Sequence, residues 1–146
     1  RPDTILEQTK EDGTKNLYIL DAKYYRYGTT FLPKHIPETT SIQKQITYGE
    51  YVKKMKAGLY DAIYSAFVMP YSKTENIHCD RFNKNIEFVG TARAKWIDSE
   101  GETSRNIAGI LIDTNFLINN WVRKNQDNID AIIETIEENI GRRIRE

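Results

Sequence analysis

Two carboxylates and a lysine near the start of the chain are spaced in a way that suits phosphate chemistry. Asp21 and Lys23 lie two positions apart in an apolar, aromatic-rich run over residues 17–25 that is typical of a β-strand. Because strand side chains alternate between faces, Asp21 and Lys23 point the same way. Asp3 opens a shorter strand-like run, and Asp12-Gly13 between the two runs is typical of a tight turn. We therefore predict an antiparallel hairpin that brings Asp3 beside Asp21.

This cluster predicts a metal site. Two carboxylates a few Å apart repel each other unless a cation lies between them. Mg²⁺ prefers hard oxygen ligands, usually one or two carboxylates, with water and phosphate oxygens in the remaining positions. Such an ion activates water and stabilises the negative charge that develops on a phosphoryl group. Lys23 could orient the attacking water or offset the same charge. The predicted chemistry is hydrolysis of a phosphodiester bond, with Asp3 and Asp21 as metal ligands.

The same residues carry a family resemblance. Pro2-Asp3, followed after an apolar run by Asp21-Ala22-Lys23, resembles the PD-(D/E)xK signature of restriction-endonuclease-like nucleases. Residues 20–25 resemble the nuclease subunit of McrC-type restriction systems, and together with residues 41–51 they are most similar to the LlaJI family of restriction endonucleases.

This resemblance implies a Mg²⁺-dependent endonuclease that cuts double-stranded DNA, with Mn²⁺ able to substitute. It implies that Asp3 and Asp21 bind the metal, that the Ala22 carbonyl is a further ligand, and that Lys23 is the catalytic lysine. Two alternatives stay open: a recombination or repair nuclease of the same superfamily, and a catalytically silent DNA-binding or assembly module.

A predicted helix after the hairpin carries a further candidate. Thr39, Thr40 or Ser41 can cap it, and apolar residues at positions 42, 46, 49 and 52 give it one packing face up to about position 56. Gln45 lies on that face. In the resembled family a glutamine on this helix, followed by a tyrosine, supports the catalytic lysine or the attacking water, and Gln45 fits this role better than Tyr48. The alternative for Gln45 is a capping or solvent-exposed amide.

The remaining segments predict an α/β fold with a restriction-endonuclease-like core, in which a mixed central β-sheet is flanked by α-helices. The apolar run 61–70 is predicted as a buried central strand, so that strand, helix and strand form a right-handed crossover. Residues 86–96 and 107–113 predict two more strands joined by a turn at 99–102. A helix is predicted from Asp113 or Thr114 through Trp121, and isoleucines between positions 129 and 144 predict an amphipathic C-terminal helix that ends in arginines. This last helix is either the outer layer of the core or a docking face for a partner.

Several connecting segments contain residues with two interpretations. Residues 26–37 hold a glycine and two prolines and are predicted as a loop, in which Arg26, Lys34 and His35 could meet phosphate. For His35 the expected interpretation is a solvated side chain without a catalytic role. Arg93 and Lys95 would share one strand face, suited either to a DNA backbone or to the outside of an edge strand.

Two further motifs are predicted to be structural. The His78-Cys79-Asp80 motif lacks the partners that a zinc site needs, so we predict a loop with a buried Cys79. Asp113 is predicted to cap a helix rather than to catalyse.

Composition limits the class of protein. The chain has 146 residues, 39% hydrophobic and 29% charged, which is ordinary for one soluble domain. Lys+Arg and Asp+Glu are both 21, so the net charge is zero, whereas a protein that coats DNA is normally basic. Tight DNA binding is therefore expected from elsewhere. A single cysteine excludes an intrachain disulfide, and with no signal peptide or membrane-length apolar run it predicts a cytoplasmic protein.

The resemblance also implies an organisation for the whole protein. Residues 1–146 would be a single nuclease catalytic domain, the C-terminal fragment of a longer chain, without the first core helix and strand. In the superfamily that upstream helix often supplies another acidic residue to the metal site. The implied partners are a nucleotide-hydrolysing subunit that recognises DNA and a second copy, as a homodimer or higher assembly for double-strand cleavage. No membrane partner is implied.

Overall fold

A mixed β-sheet between two layers of helices organises the chain, for which a computed structural model describes residues 1–98, 100–120 and 126–141. The strands are β1 (Thr4–Thr9), β2 (Lys15–Ala22), β3 (Ala62–Tyr71), β4 (Ile86–Ala92) and β5 (Ile107–Asp113). The helices are α1 (Tyr27–Thr30), α2 (Thr39–Met55), α3 (Thr114–Asn120) and α4 (Gln126–Ile136), and a π-helical turn (Glu137–Gly141) follows α4. Short 3₁₀ turns lie at Pro33–His35 and Thr103–Arg105.

The strand order is β1-β2-β3-β5-β4. β1 and β2 form the predicted antiparallel hairpin, and β2, β3 and β5 run parallel. β4 returns antiparallel to β5 at the far edge, as the predicted turn requires. Since α2 connects β2 to β3, the predicted strand–helix–strand crossover and the α/β fold class are confirmed.

Alternation along the strands gives the sheet two different faces. On the α2 face, Phe67 and Ile107 pack against Ile46 of α2. On the α4 face, Tyr18 and other strand residues pack against three isoleucines of the C-terminal helix, at positions 133, 136 and 140. The predicted isoleucine stripe therefore covers one side of the sheet. Trp121, Ile144, the C-terminal arginines and Ser99 lie outside the described residues.

The segment predicted as a loop over residues 26–37 is more ordered than expected. It contains the single helical turn α1 and a 3₁₀ turn. Gly28 explains why α1 can pack so closely on the sheet, because a Cβ at this position would lie 2.1 Å from the carbonyl oxygen of Pro70. Glycine is therefore what brings this segment onto the end of β3.

Three local predictions are wrong. α2 begins after Glu38, whose backbone is extended, and no side chain caps it, so the expected cap by Thr39, Thr40 or Ser41 is absent among the described contacts. β4 ends at Ala92, short of the predicted residue 96, after a bulge between Phe88 and Gly90. Cys79 is exposed, because it lies in the turns between β3 and β4 and not in the core.

Candidate active site

The hairpin brings Asp3 to the end of β2. Thr4 pairs with Leu20 in the register of β1 and β2, so Asp3 continues that register opposite Asp21. One oxygen of Asp3, Oδ2, accepts a hydrogen bond of 2.9 Å from the backbone N–H of Ala22. The carboxylate is thus oriented by the strand that carries Asp21, as the hairpin prediction requires.

Lys23 is held at the same place by three contacts. Its ammonium group forms an ion pair with Oδ2 of Asp21, and its backbone N–H donates to the carbonyl of Val68 at 2.8 Å. Its Nζ also lies 6.0 Å from the ring centre of Phe67. The side chains of Lys23 and Asp21 keep 23% and 15% of their surface exposed, so the pair can be reached from solvent.

The oxygen donors at this place suit a hard divalent cation. Asp3 and Asp21 each use Oδ2 for a contact within the chain, and Oδ1 of each makes no hydrogen bond with any described residue. Across residues 1–98, 100–120 and 126–141, no group of three or more His, Cys, Asp or Glu is placed to hold a metal. Two carboxylates without a closed protein cage match the habit of Mg²⁺, which completes its shell with water and substrate phosphate.

Gln45 is buried beneath this site, with 1% of its surface exposed. Its Nε2 donates a hydrogen bond of 2.8 Å to the carbonyl of Ile19, two residues before Asp21 on the same face of β2. Its Oε1 is buried and finds no partner among the described residues. The prediction that Gln45 faces the sheet is confirmed, and the alternative of a capping or exposed amide is wrong. The hydroxyl of Tyr48 accepts a hydrogen bond from the amino nitrogen of Arg1, which is close in sequence to Asp3.

Other candidates take different positions. His35 bonds through Nδ1 to the Thr30 hydroxyl at 2.6 Å, and Arg26 and Lys34 are exposed. Arg93 and Lys95 are also exposed but lie beyond the end of β4, so the predicted shared strand face is wrong.

Asp113 has the structural role that we predicted. Its Oδ2 accepts a hydrogen bond of 3.0 Å from the N–H of Phe116 in the first turn of α3, as a helix cap does. Its Oδ1 accepts from the N–H of Lys73, also at 3.0 Å, which ties the connector after β3 to the end of β5. Both carboxylate oxygens therefore serve the fold.

One feature beside the site has no counterpart in the sequence patterns. A cavity of about 310 Å³ lies between the segment 27–42 and the α2 face of the sheet, and Phe67 lines it. Its walls come from six separate helices, turns and strands, so no local spacing could reveal it. The only available signal was the high aromatic content of residues 24–31.

Comparison with known proteins identifies the family of the chain. The family model described as LlaJI restriction endonuclease matches residues 1–135, which is most of the chain and includes Asp3, Asp21, Lys23 and Gln45. No curated protein and no solved structure matches the chain significantly. No helix in the described part of the chain has the length and apolar character needed to cross a membrane. The chain belongs to the LlaJI restriction endonuclease family, and its role is that of a nuclease acting on DNA in a restriction system.

Proposed function

We propose that the protein is a Mg²⁺-dependent endonuclease that hydrolyses phosphodiester bonds of double-stranded DNA at the end of the β1–β2 hairpin. Mn²⁺ should substitute for Mg²⁺. Asp3, Asp21 and the Ala22 carbonyl would hold the metal, and Lys23 would be the catalytic lysine. The observation that carries the proposal is the ion pair between Lys23 and Asp21 beside the strand-anchored carboxylate of Asp3.

The role of each side chain in the proposed reaction follows from its charge and its contacts. When bound, the metal would activate water and neutralise negative charge on the phosphoryl group. Asp3 is oriented in advance, because the Ala22 N–H fixes one of its two oxygens. The ammonium group of Lys23 can donate to the phosphate or to the attacking water, and its positive charge offsets the charge that develops there. Gln45 acts as a positioning residue through its hydrogen bond to Ile19.

Partners complete the proposal. The zero net charge gives the chain no overall attraction for DNA phosphates, which favours recognition by a separate nucleotide-hydrolysing subunit. Cutting both strands at one place needs two such centres, which favours a homodimer or a higher assembly. The single cysteine suits a reducing compartment, and we place the activity in the cytoplasm.

Cleavage of supercoiled plasmid tests the proposal. The protein is incubated with Mg²⁺ or Mn²⁺, alone and with a candidate nucleotide-hydrolysing partner subunit, and is compared with Lys23→Ala and with Lys15→Ala. Lys15 is an exposed lysine at the other end of β2, so it is the matched control. We expect wild type and Lys15→Ala to cut, and Lys23→Ala to lose cleavage by about 100-fold or more.

Three results would contradict the proposal or redirect it. Equal cleavage by Lys23→Ala and wild type would show that the active site does not lie on this hairpin. A folded wild type that binds Mn²⁺ but cuts no DNA under any condition would indicate a silent DNA-binding or assembly module. Cleavage at no defined sequence would instead indicate a recombination or repair nuclease.

A further inference from the structure

The cavity beside the candidate site opens next to the lysine. Phe67 forms part of its lining on β3, and the same ring lies 6.0 Å from Nζ of Lys23. Tyr27 and Phe31 line it from α1 and its C-cap, and residues 89–92 of β4 line the side away from β3. A group bound in the cavity would thus lie one aromatic ring away from the place where the proposed reaction occurs.

The size and lining of the cavity suit one small planar group. Its volume of about 310 Å³ is at the lower end of the range for ligand pockets, roughly 300–1,000 Å³. Aromatic rings line it from two sides, through Tyr27 and Phe31 on one and Phe67 on the other. Gly109 lines the cavity without a side chain, and a Cβ there would lie 3.2 Å from a methyl group of Val89. Aromatic side chains of this kind stack well on heteroaromatic rings.

Phe31 holds its position in the wall at a conformational cost. Its φ of 52° and ψ of 22° place it in the left-handed region, where glycine is the usual residue at a helix end. Stacking keeps it there: the ring of Phe82 lies 5.2 Å away and nearly parallel, and His78 meets it edge-on at 5.0 Å. A bulky residue held in this conformation is typical of ligand clamps.

Charged residues next to the lining residues in the sequence indicate that a polyanion binds outside the cavity. Arg26, Lys34 and Arg93 each adjoin a lining residue in the sequence, are exposed, and have no ion pair within the described ranges. The acidic residue in a comparable position is Glu38, beside Pro37. Three cations against one carboxylate would attract phosphates to the rim while the interior stays apolar.

We propose that this cavity receives one DNA base that is turned out of the helical stack beside the bond to be cut. The inference rests on the proposed function and adds to it a binding step on the substrate. Stacking between the aromatic walls compensates for the loss of base stacking in the duplex, and the Tyr27 hydroxyl, which bonds to no described residue, is available to the edge of the base. Removing one base from the stack also distorts the adjacent backbone and presents its phosphate to Lys23.

A filled cavity and an abasic substrate test the proposal together. The cut position is mapped with wild type, and short duplexes are then made with a single abasic nucleotide at each position around it. Val89→Trp fills the cavity from β4, Phe31→Ala removes one wall, and Leu32→Ala alters an exposed neighbour that does not line it. Cleavage rates and binding with Ca²⁺ in place of Mg²⁺ are measured, and folding is checked by circular dichroism.

We expect Val89→Trp to cut the intact duplex at least about tenfold more slowly than wild type, because an unstacked base would then have no place to bind. A duplex with an abasic nucleotide at one of the positions should restore most of the cleavage rate of Val89→Trp, because no base then has to enter the cavity. Phe31→Ala should weaken binding of the intact duplex more than binding of that abasic duplex. Leu32→Ala should resemble wild type on both duplexes.

Two outcomes would overturn the inference while leaving the proposed function intact. One is that Val89→Trp and Phe31→Ala cut the intact duplex as fast as wild type. The other is that folded variants lose cleavage equally on intact and on every abasic duplex, which would indicate a packing role for the cavity. If wild type itself cuts no DNA, the proposed function fails, and this inference fails with it.

Discussion

Gln45 and Ile19 tie the helix layer to the strand that carries the candidate site. The Nε2 of Gln45 donates to the Ile19 carbonyl at 2.8 Å, and the amide is almost fully buried. Since Ile19 and Asp21 lie on the same face of β2, a shift of this carbonyl would move the carboxylate as well. Gln45 thus links the packing of α2 to the geometry of the site.

Gln45→Leu should therefore affect both stability and cleavage. It removes this buried hydrogen bond, which costs about 0.5–1.5 kcal/mol of the free energy of unfolding. Cleavage should fall even at temperatures where the variant is fully folded, because Asp21 loses its support. Urea unfolding and plasmid cleavage measure the two effects. Gln43→Leu, on the exposed side of the same helix, is the control. Equal behaviour of the two variants would show that the buried amide has no such role.

Asp3→Asn should separate metal binding from folding. The asparagine keeps an oxygen for the Ala22 N–H, so the free energy of unfolding should change by less than about 0.5 kcal/mol. Loss of the charge should weaken Mn²⁺ binding about tenfold or more and lower cleavage in parallel. Calorimetric titration with Mn²⁺ measures the affinity, with Asp12→Asn in the hairpin turn as control. Unchanged Mn²⁺ affinity in Asp3→Asn would remove Asp3 from the ligand set.

Gly28→Ala should detach α1 from the sheet. The added Cβ would lie 2.1 Å from the Pro70 carbonyl oxygen and 2.8 Å from Cβ of Tyr71, and neither group is a flexible side-chain end. We expect a loss of about 1–3 kcal/mol in thermal or urea unfolding. Thr29→Ala, at the next and exposed position of the same helical turn, should cost much less. Equal stability of both variants would show that α1 can shift without penalty.

Glu137 provides a pH-dependent link between the C-terminal helix and the hairpin. It accepts hydrogen bonds from Lys10 at 2.7 Å, from Asn16 at 3.0 Å and from the hydroxyl of Tyr18. Burial by itself would raise the pKa of Glu137, but these three donors together lower it below its ordinary value of 4.5. A carboxyl whose pKa is lower in the folded state stabilises the fold fully above its unfolded pKa. That contribution is lost as the pH falls through the folded pKa.

Glu137→Gln should consequently be less stable than wild type at neutral pH, by about 1–3 kcal/mol, and the difference should shrink below pH 4.5. Urea unfolding of both proteins from neutral pH to about pH 3 gives the comparison. Glu138→Gln, at the next and exposed position, should follow wild type throughout. A stability gap that stays constant down to the lowest pH would contradict the ionised state of Glu137.

The hairpin shows how far local patterns reach. Alternation along β2 predicted that Asp21 and Lys23 share a face, and the Asp-Gly turn predicted the return that sets Asp3 beside them. Helical periodicity likewise placed Gln45 on the buried face of α2. The faces on which these residues lie could be predicted from the sequence, because each face depends on the period of its own element, which backbone geometry fixes.

Local patterns thus predicted the order and type of the main elements, the faces of Asp21, Lys23 and Gln45, and the family. Only the folded structure established which elements meet on those faces. It placed Phe31 against Phe82, brought Glu137 onto Lys10 and Tyr18, and formed the cavity beside Phe67. The physical reason is that contacts between distant segments depend on the packing of whole elements. The period of one element carries no information about which other element packs against its face.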